Sequence, residues 1–236
     1  MTLISAASQV LAALGQENVK GCIVGGLAVS SRCNPRFTRD VDIAVAVETD
    51  EQAEALIHAL VSHGLRMNGL VEQEAVRIVR RRGDLIITET KHGFVCANSG
   101  IDLSNVERGY AALLPLDSDR SARRIRDIVR AKLGVTVGVI VSDTFGRPWR
   151  KGLTDVAIGV AGIAGVVDLR GTEDALGRMM QVTEVCIADE LASTGELVMG
   201  KSNGVPVAVI RGGDPSWFRD SSMDEIVRPP SEDLFR

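Results

Sequence analysis

Two short stretches of the chain carry the side chains best suited to metal and phosphate chemistry. The first, HGFVCANSGIDLSN, places Asp102 and Asn105 three residues apart beside a glycine, and the second, VSDTFGRPWR, places Asp143 and Thr144 at the end of an apolar run. Carboxylate and hydroxyl oxygens are ligands that hard divalent cations such as Mg²⁺ prefer. The arginines of the second stretch could balance the charge of a phosphate. Together the stretches predict phosphate chemistry assisted by a divalent cation.

A third group of polar residues lies near the N-terminus, in GGLAVSSRCNPRFTRDVDIAV. Asp40 and Asp42 are two residues apart at the start of a predicted strand, so both side chains would point to one face and could hold one Mg²⁺. The preceding glycine pair would let phosphates approach the backbone closely. Over about residues 5–75 this pattern resembles the start of a minimal nucleotidyltransferase. Nucleotidyl transfer by Asp40 and Asp42 is therefore one alternative, and a solvated strand start without activity is another.

Composition limits the class of protein. Of the 236 residues, 45% are hydrophobic and 25% charged, and the formal charge is −4, which gives no broad attraction to nucleic acid or anionic lipid. The four cysteines show no paired spacing, which argues against a disulfide framework or a zinc site. No apolar run is long enough to span a bilayer. These features predict a soluble, cytoplasmic protein without a nucleic-acid or membrane partner.

The elements that must position these residues form an irregular mixture of helices and strands. We predict helices over 3–14, 50–63, 74–82 and 118–133, and strands over 22–26, 41–47, 85–90, 135–144 and 205–212. One or two short strands are predicted over 155–169, and a strand followed by a helix over 179–194. Because the crossovers are irregular, the α+β class is favoured over a doubly wound parallel sheet.

From about residue 71 onward the sequence is similar to the F420-0:γ-glutamyl ligase family. The runs that carry the similarity, in the family's order, include EAVRIVRRRGDLIITETKHGFVCANSGIDLSN, VIVSDTFGRPWRKG, TDVAIGVAG, DLRGTEDALGR, VTEVCIADELA, LVMGKSNGVPVAVIRG and RPPSEDLFR. We therefore predict an α/β nucleotidyltransferase-like segment over residues 1–70. A mixed-sheet, α+β ligase-like domain over residues 71–236 would follow it, without the family's usual N-terminal portion.

The resemblance implies a GTP-dependent ligase. Such an enzyme phosphorylates a carboxylate of coenzyme F420-0, and the amine of L-glutamate then attacks the acyl phosphate. The resemblance also implies two Mg²⁺ or Mn²⁺ ions, K⁺ as a further candidate cation, and a homodimer. Several negative charges meet in an acyl-phosphate step, which two divalent cations would offset. Because the predicted N-terminal segment replaces a part that helps to hold GTP in the family, a catalytically impaired chimeric ligase that only binds cofactor or dimerises is a further alternative.

The resemblance assigns metal binding to three residues and nucleotide binding to a loop. Asp102, Asp143 and Thr144 correspond to the family's metal ligands, and Asn105 to a nucleotide contact. The loop MGKSNGVP would cradle phosphates through its backbone N–H groups. Its candidate binding residues are Gly200, Lys201, Ser202, Asn203 and Gly204. Some family members carry a glutamine as a metal ligand where this chain has lysine, and an ammonium group cannot take that role.

Two arginines are candidate catalytic residues, and several residues have structural alternatives. Arg147 and Arg150 could clamp phosphate or glutamyl carboxylates, or could instead brace a dimer interface. Asp102 could form an Asx turn, and Asp143 and Thr144 could cap the turn after a strand. Structural roles are also predicted for a further set, with the cysteines as inert core thiols. That set is His92, Cys96, Cys186, Asp189 and Glu190.

Overall fold

The computed structural model describes residues 21–24, 67–106 and 111–234 of the chain. Asp40, Asp42 and most of the predicted nucleotidyltransferase-like segment therefore lie outside the described residues. In chain order, the helices and strands are β1 (Gly21–Val24), α1 (Met67–Glu74), β2 (Ala75–Arg82), β3 (Leu85–Thr90), β4 (Val95–Ala97), α2 (Ser118–Leu133), β5 (Val137–Gly146), β6 (Leu153–Ala161), β7 (Val167–Asp168), β8 (Glu184–Val185), α3 (Ile187–Met199) and β9 (Ala208–Ile210).

The chain divides into two compact units. One, the larger unit, comprises residues 1–32 and 115–236, and the other, the smaller unit, comprises residues 33–114. Elements α1 and β2 to β4 belong to the smaller unit, and the remaining elements belong to the larger one. None of the helices in the part of the chain that the structure describes is long and apolar enough to cross a membrane.

The larger unit is built on a mixed four-stranded sheet with the strand order β6-β5-β1-β9. Strand β5 runs parallel to β1 and antiparallel to β6, and β1 runs antiparallel to β9. The first six residues of β5 are buried, as expected of an inner strand covered on both faces. Helices α2 and α3 pack on β6. This arrangement confirms the predicted α+β class, while most of the predicted nucleotidyltransferase-like segment lies outside the described residues.

The N-terminal strand that the sequence predicted over 22–26 is present as β1 and belongs to this same sheet. Its backbone pairs with β5 on one side and β9 on the other. The strands predicted over 135–144 and 205–212 are also present, as β5 and the shorter β9. Strand β1, which precedes residue 71, thus lies between β5 and β9, which both follow that residue in the sequence.

Local sequence signals determine both ends of helix α2, which spans the predicted residues 118–133. The Asp117 side chain accepts a hydrogen bond from the Arg120 N–H and caps the first turn, and Gly134 ends the helix with a φ of 68°. Asp119 in the first turn accepts two further bonds, from the N–H groups of Val160 (2.8 Å) and Met223 (2.9 Å). One carboxylate therefore fastens both β6 and the C-terminal segment to the helix.

The helix predicted over 74–82 is wrong, because this stretch forms strand β2. Helix α1 ends at Glu74, and β2 pairs antiparallel with β3 through a two-residue turn at Gly83 and Asp84. Gly83 has a φ of 60°, a value that the first central residue of such a hairpin turn can adopt. Arg77 lies opposite Glu89 and forms an ion pair with it (3.0 Å). Arginine's helix propensity therefore yields to cross-strand pairing.

The smaller unit is held together by a buried polar network beside its three-stranded sheet. Strand β3, found at its predicted bounds, alternates between buried and half-buried side chains after its first residue. The buried Ser99 hydroxyl donates to the Val71 carbonyl oxygen (2.8 Å), and the Ser99 N–H donates to Thr88 Oγ1 (3.0 Å). Ser99 has a φ of 56°, so these bonds hold a backbone conformation that non-glycine residues seldom adopt.

Substituting Gly159 with alanine is expected to destabilise the larger unit by about 1–3 kcal/mol, the range for overpacking a core. A Cβ there would lie 2.5 Å from the Ser118 carbonyl carbon, so the start of α2 would have to move away from β6. Urea denaturation checks this. Gly69→Ala is the matched control, because no atom lies within 4 Å of its Cβ and a helical site gains about 0.5–1 kcal/mol from the change. Equal effects of both substitutions would contradict the close contact.

Candidate functional site

A polar cluster lies where β5 and β6 pair near one end of the larger unit's sheet. Thr144 lies directly opposite Asp155 across the two strands. The buried Asp155 carboxylate accepts hydrogen bonds from the hydroxyl groups of Thr144 (2.6 Å) and Ser142 (3.0 Å). The Ser193 hydroxyl on α3 donates to the Asp155 carbonyl oxygen (2.8 Å). Strand register and a helix contact thus fix the position of a buried carboxylate.

Lys201 reaches this cluster from the loop that follows α3. Its ammonium group lies 2.9 Å from Asp155 Oδ1 and 3.0 Å from Glu196 Oε1, and it also contacts the Thr144 hydroxyl. The helix ends at Met199, and the φ of 59° at the following Gly200 turns the chain so that Lys201 can fold back on the last helical turn. The stretches VSDT and MGKSNG, which the sequence assigned to one site, therefore meet here.

Electrostatics keep Lys201 charged. Burial lowers the pKa of its ammonium group, but the hydrogen bonds to Asp155 and Glu196 outweigh burial and hold the pKa above lysine's usual value. The Asp155 side chain is 5% exposed and that of Lys201 is 55% exposed. The pair is therefore anchored at its carboxylate end and open to solvent at the lysine.

Asp143 is the neighbour of Thr144 in β5. Its side chain projects from the opposite face of the strand, because successive side chains along a strand alternate between the two faces. It is half-buried, and its Oδ1 accepts a hydrogen bond from the Thr144 N–H (2.7 Å). The structure therefore brings Thr144, but not the Asp143 side chain, onto the face that carries Asp155 and Lys201.

Asp102 and Asn105 lie in the smaller unit, on an exposed turn. Both carboxylate oxygens of Asp102 accept hydrogen bonds from Ser104, one from the N–H and one from the hydroxyl group (both 2.7 Å). This is the Asx turn that the sequence allowed. Each carboxylate oxygen keeps a second lone pair, so the turn orients the carboxylate without using up its capacity as a ligand. Asn105 has a φ of 55°.

The remaining predicted site residues lie on two exposed loops of the larger unit. Arg147 and Arg150 are on the loop that joins β5 to β6. Ser202, Asn203 and Gly204 follow Lys201, and the Asn203 side chain approaches so closely that a Cβ at Gly200 would lie 2.5 Å from its amide nitrogen. The positive φ at position 200 favours glycine, and a Cβ there would also displace the Asn203 side chain.

Sequence reasoning missed Asp155, Glu196 and Ser142. The available signal was an aspartate inside the otherwise apolar run TDVAIGVAG. An acidic side chain in a buried strand needs a partner, because an unpaired buried charge is costly. Its partners could not be named without the register that places Asp155 opposite Thr144.

Contacts or burial are seen for four of the residues predicted to be structural, of which Cys186 is half-buried and not part of the core. The Asp189 carboxylate accepts a hydrogen bond from the Ala157 N–H (2.8 Å) and so ties α3 to β6. Burial, and next the nearby Asp189 carboxylate, raise the pKa of the Cys186 thiol to about 12, so it stays protonated at neutral pH. Cys96 is buried in β4, and the His92 ring stacks on Phe94.

The predicted metal ligands differ in how well they suit a cation. Asp143 is a hard oxygen donor that is partly open to solvent, which fits a divalent ion. The Thr144 hydroxyl already donates to Asp155 and contacts the Lys201 ammonium group, which does not fit a second ion. Among the described residues, no group of three or more histidine, cysteine, aspartate or glutamate side chains is placed to hold a metal ion.

Comparison with known proteins identifies the family. The family model for F420-0:gamma-glutamyl ligase matches residues 30–212, a range that includes Asp40 and Asp42. The coenzyme F420:L-glutamate ligase of Methanocaldococcus jannaschii is 48% identical over 168 residues, which cover 71% of this chain and 67% of that protein. The ligase of the same name from Methanopyrus kandleri is 46% identical over 175 residues, or 72% and 69% of the two chains. The chain therefore belongs to the F420-0:gamma-glutamyl ligase family.

Proposed function

We propose that this protein is a ligase that joins L-glutamate to coenzyme F420-0 at the expense of GTP, with Mg²⁺ or Mn²⁺ as the divalent cofactor. Its relatives carry the name coenzyme F420:L-glutamate ligase. The observation that carries the proposal is the contact of Lys201 with Thr144 and Asp155, which unites two stretches that are 57 residues apart in the chain. Glycine-flanked loops with a lysine suit phosphate groups.

The proposed reaction has two steps. A carboxylate oxygen of F420-0 attacks the γ-phosphorus of GTP, and GDP leaves, so that an acyl phosphate forms. The amine of L-glutamate then attacks the acyl carbon, the carbon–oxygen bond to phosphate breaks, and the nitrogen loses a proton as the amide forms. Both steps gather negative charge on phosphate oxygens, so positive groups fixed in advance would lower the barrier.

Each predicted site residue has a place in this scheme. Asp143 and Asp102 are proposed carboxylate ligands for divalent cations, which supply electrostatic stabilisation of the phosphates when bound. Arg147 and Arg150 are proposed to hold phosphate or substrate carboxylates by paired hydrogen bonds. The N–H groups of the loop Gly200–Lys201–Ser202–Asn203–Gly204 are proposed to bind nucleotide phosphates. Asn105 is proposed, independently of that loop, as a nucleotide contact. K⁺ as an additional cation, a homodimer and a cytoplasmic location complete the proposal.

An oxygen-transfer experiment tests the function and the intermediate together. F420-0 labelled with ¹⁸O in its carboxylate is incubated with the protein, GTP, L-glutamate and Mn²⁺, and the products are analysed by mass spectrometry. We expect glutamylated product, GDP, and inorganic phosphate that carries one ¹⁸O. Product with unlabelled phosphate would contradict the acyl phosphate. Release of pyrophosphate without glutamate addition would instead favour nucleotidyl transfer by Asp40 and Asp42.

A further inference from the structure

The Lys201 ammonium group occupies a position that resembles a cation site. Oxygens of the Asp155 carboxylate, the Glu196 carboxylate and the Thr144 hydroxyl group lie around it. Carboxylate and hydroxyl oxygens are the donors that hard cations select. They come from β5, β6 and α3, so the surrounding fold, and not a single flexible loop, sets their positions.

The hydrogen bonds of Thr144 exclude a metal ion from its hydroxyl oxygen while Lys201 is in contact with it. The Thr144 hydroxyl donates its only hydrogen to Asp155 Oδ1, so its lone pairs are left to face a positive partner. That partner is Lys201, which also contacts the same Oδ1 atom of Asp155. A second cation at this point would meet the ammonium charge at close range, where like charges repel strongly.

The charge balance of the cluster favours a resident cation. Asp155 and Glu196 contribute two negative charges, and Lys201 contributes one positive charge between them. Without Lys201, two carboxylates and a hydroxyl group would surround an empty position, and one of the carboxylates is buried. Such a group either gains protons or attracts a cation from solution.

We propose that the Lys201 ammonium group is a built-in cation that takes the position of one metal ion beside Thr144, so that the wild-type chain binds one divalent ion fewer than a chain with an uncharged residue at position 201. The inference rests on the proposed function in one respect, namely that divalent ions serve this centre. It assigns Lys201 a positioning role through Thr144 and Asp155. The number of metal ions bound per chain then depends on which residue occupies position 201.

Counting bound Mn²⁺ by electron paramagnetic resonance tests the inference directly. Wild type, Lys201→Gln and Lys201→Ala are titrated with Mn²⁺ alone and with a non-hydrolysable GTP analogue. Lys132→Gln is the control, because Lys132 is an exposed lysine in the last turn of α2. We expect both Lys201 variants to bind one Mn²⁺ more per chain than wild type and the control. Equal counts in all four proteins would overturn the inference.

Thermal unfolding supplies a readout that does not depend on catalysis. We expect Lys201→Ala to unfold at a lower temperature than wild type without metal, and to recover most of that loss in Mn²⁺. Wild type and Lys132→Gln should gain less from the same Mn²⁺ concentration. Equal gains in all proteins would contradict a vacated cation position. If the counts change as expected but wild type adds no glutamate to F420-0, the proposed function fails while the cation inference stands.

Discussion

Replacing Asp155 with alanine is expected to abolish glutamate ligation and to lower the free energy of unfolding by about 2–4 kcal/mol. The loss has two sources. The hydroxyl groups of Ser142, a residue that is 1% exposed, and of Thr144 lose their acceptor. Lys201 also loses the carboxylate that holds it against Thr144, so the two stretches of the site would no longer be joined.

Asp155→Asn removes the negative charge of the side chain and nearly preserves its shape, so it separates the two effects in the same experiment. The amide oxygen can still accept from one of the two hydroxyl groups and the amide NH2 can donate to the other, but the negative charge that pairs with Lys201 is removed. We therefore expect most of the stability to remain and most of the activity to be lost. Urea denaturation and steady-state turnover measure the two effects. Asp168→Ala is the control, because Asp168 pairs with Arg170 at an exposed site and its removal should change neither quantity much. An active Asp155→Ala protein would contradict this account.

The sequence predicted the elements whose signals are local. Helix α2 has an aspartate cap before it and a glycine after it, and its predicted bounds hold. The apolar run of β5 predicted an inner strand, and the structure buries it. Strand β2 was missed because its state depends on pairing with β3 across a turn, and arginine-rich composition alone favours a helix. Helix propensity determines the secondary structure of a segment only where pairing with a distant strand does not override it.

The candidate site was predictable to the level of motifs but not of contacts. Motif resemblance picked out VSDT and MGKSNG, and the structure joins them through Lys201 and Thr144. No motif in the sequence indicates that Asp155 and Glu196 hold Lys201 between them. The position of Asp155 follows from strand register, and that of Glu196 from its place near the end of α3. Alternation along β5 places Asp143 and Thr144 on opposite faces of the strand, whereas the motif resemblance assigns both to one set of metal ligands.

Alternation along β5 gives Asp143 and Asp155 different expected roles. Asp155 is buried and joins two motifs, so its loss should reduce both folding stability and activity. Asp143 lies on the other face, is half-buried, and its Oδ1 is bonded to the N–H group of the next residue. Its loss should therefore affect metal binding more than stability. Comparing the two variants tests whether metal binding and site assembly reside on separate faces of one strand.

Asp143→Ala is expected to lower turnover by about 10²–10³-fold or more, the range for removing one group that stabilises charge in a transition state. The bound Mn²⁺ count should fall by one per chain, because the variant lacks a hard oxygen ligand. Steady-state glutamate addition and the paramagnetic-resonance count are measured on the same preparation, with Asp168→Ala as the control. Asp143→Glu, which keeps the carboxylate but moves it, should retain the ion with reduced turnover. If Asp143→Ala binds as much Mn²⁺ as wild type, the ion is held elsewhere, and the assignment of Asp143 as a ligand fails even if turnover falls.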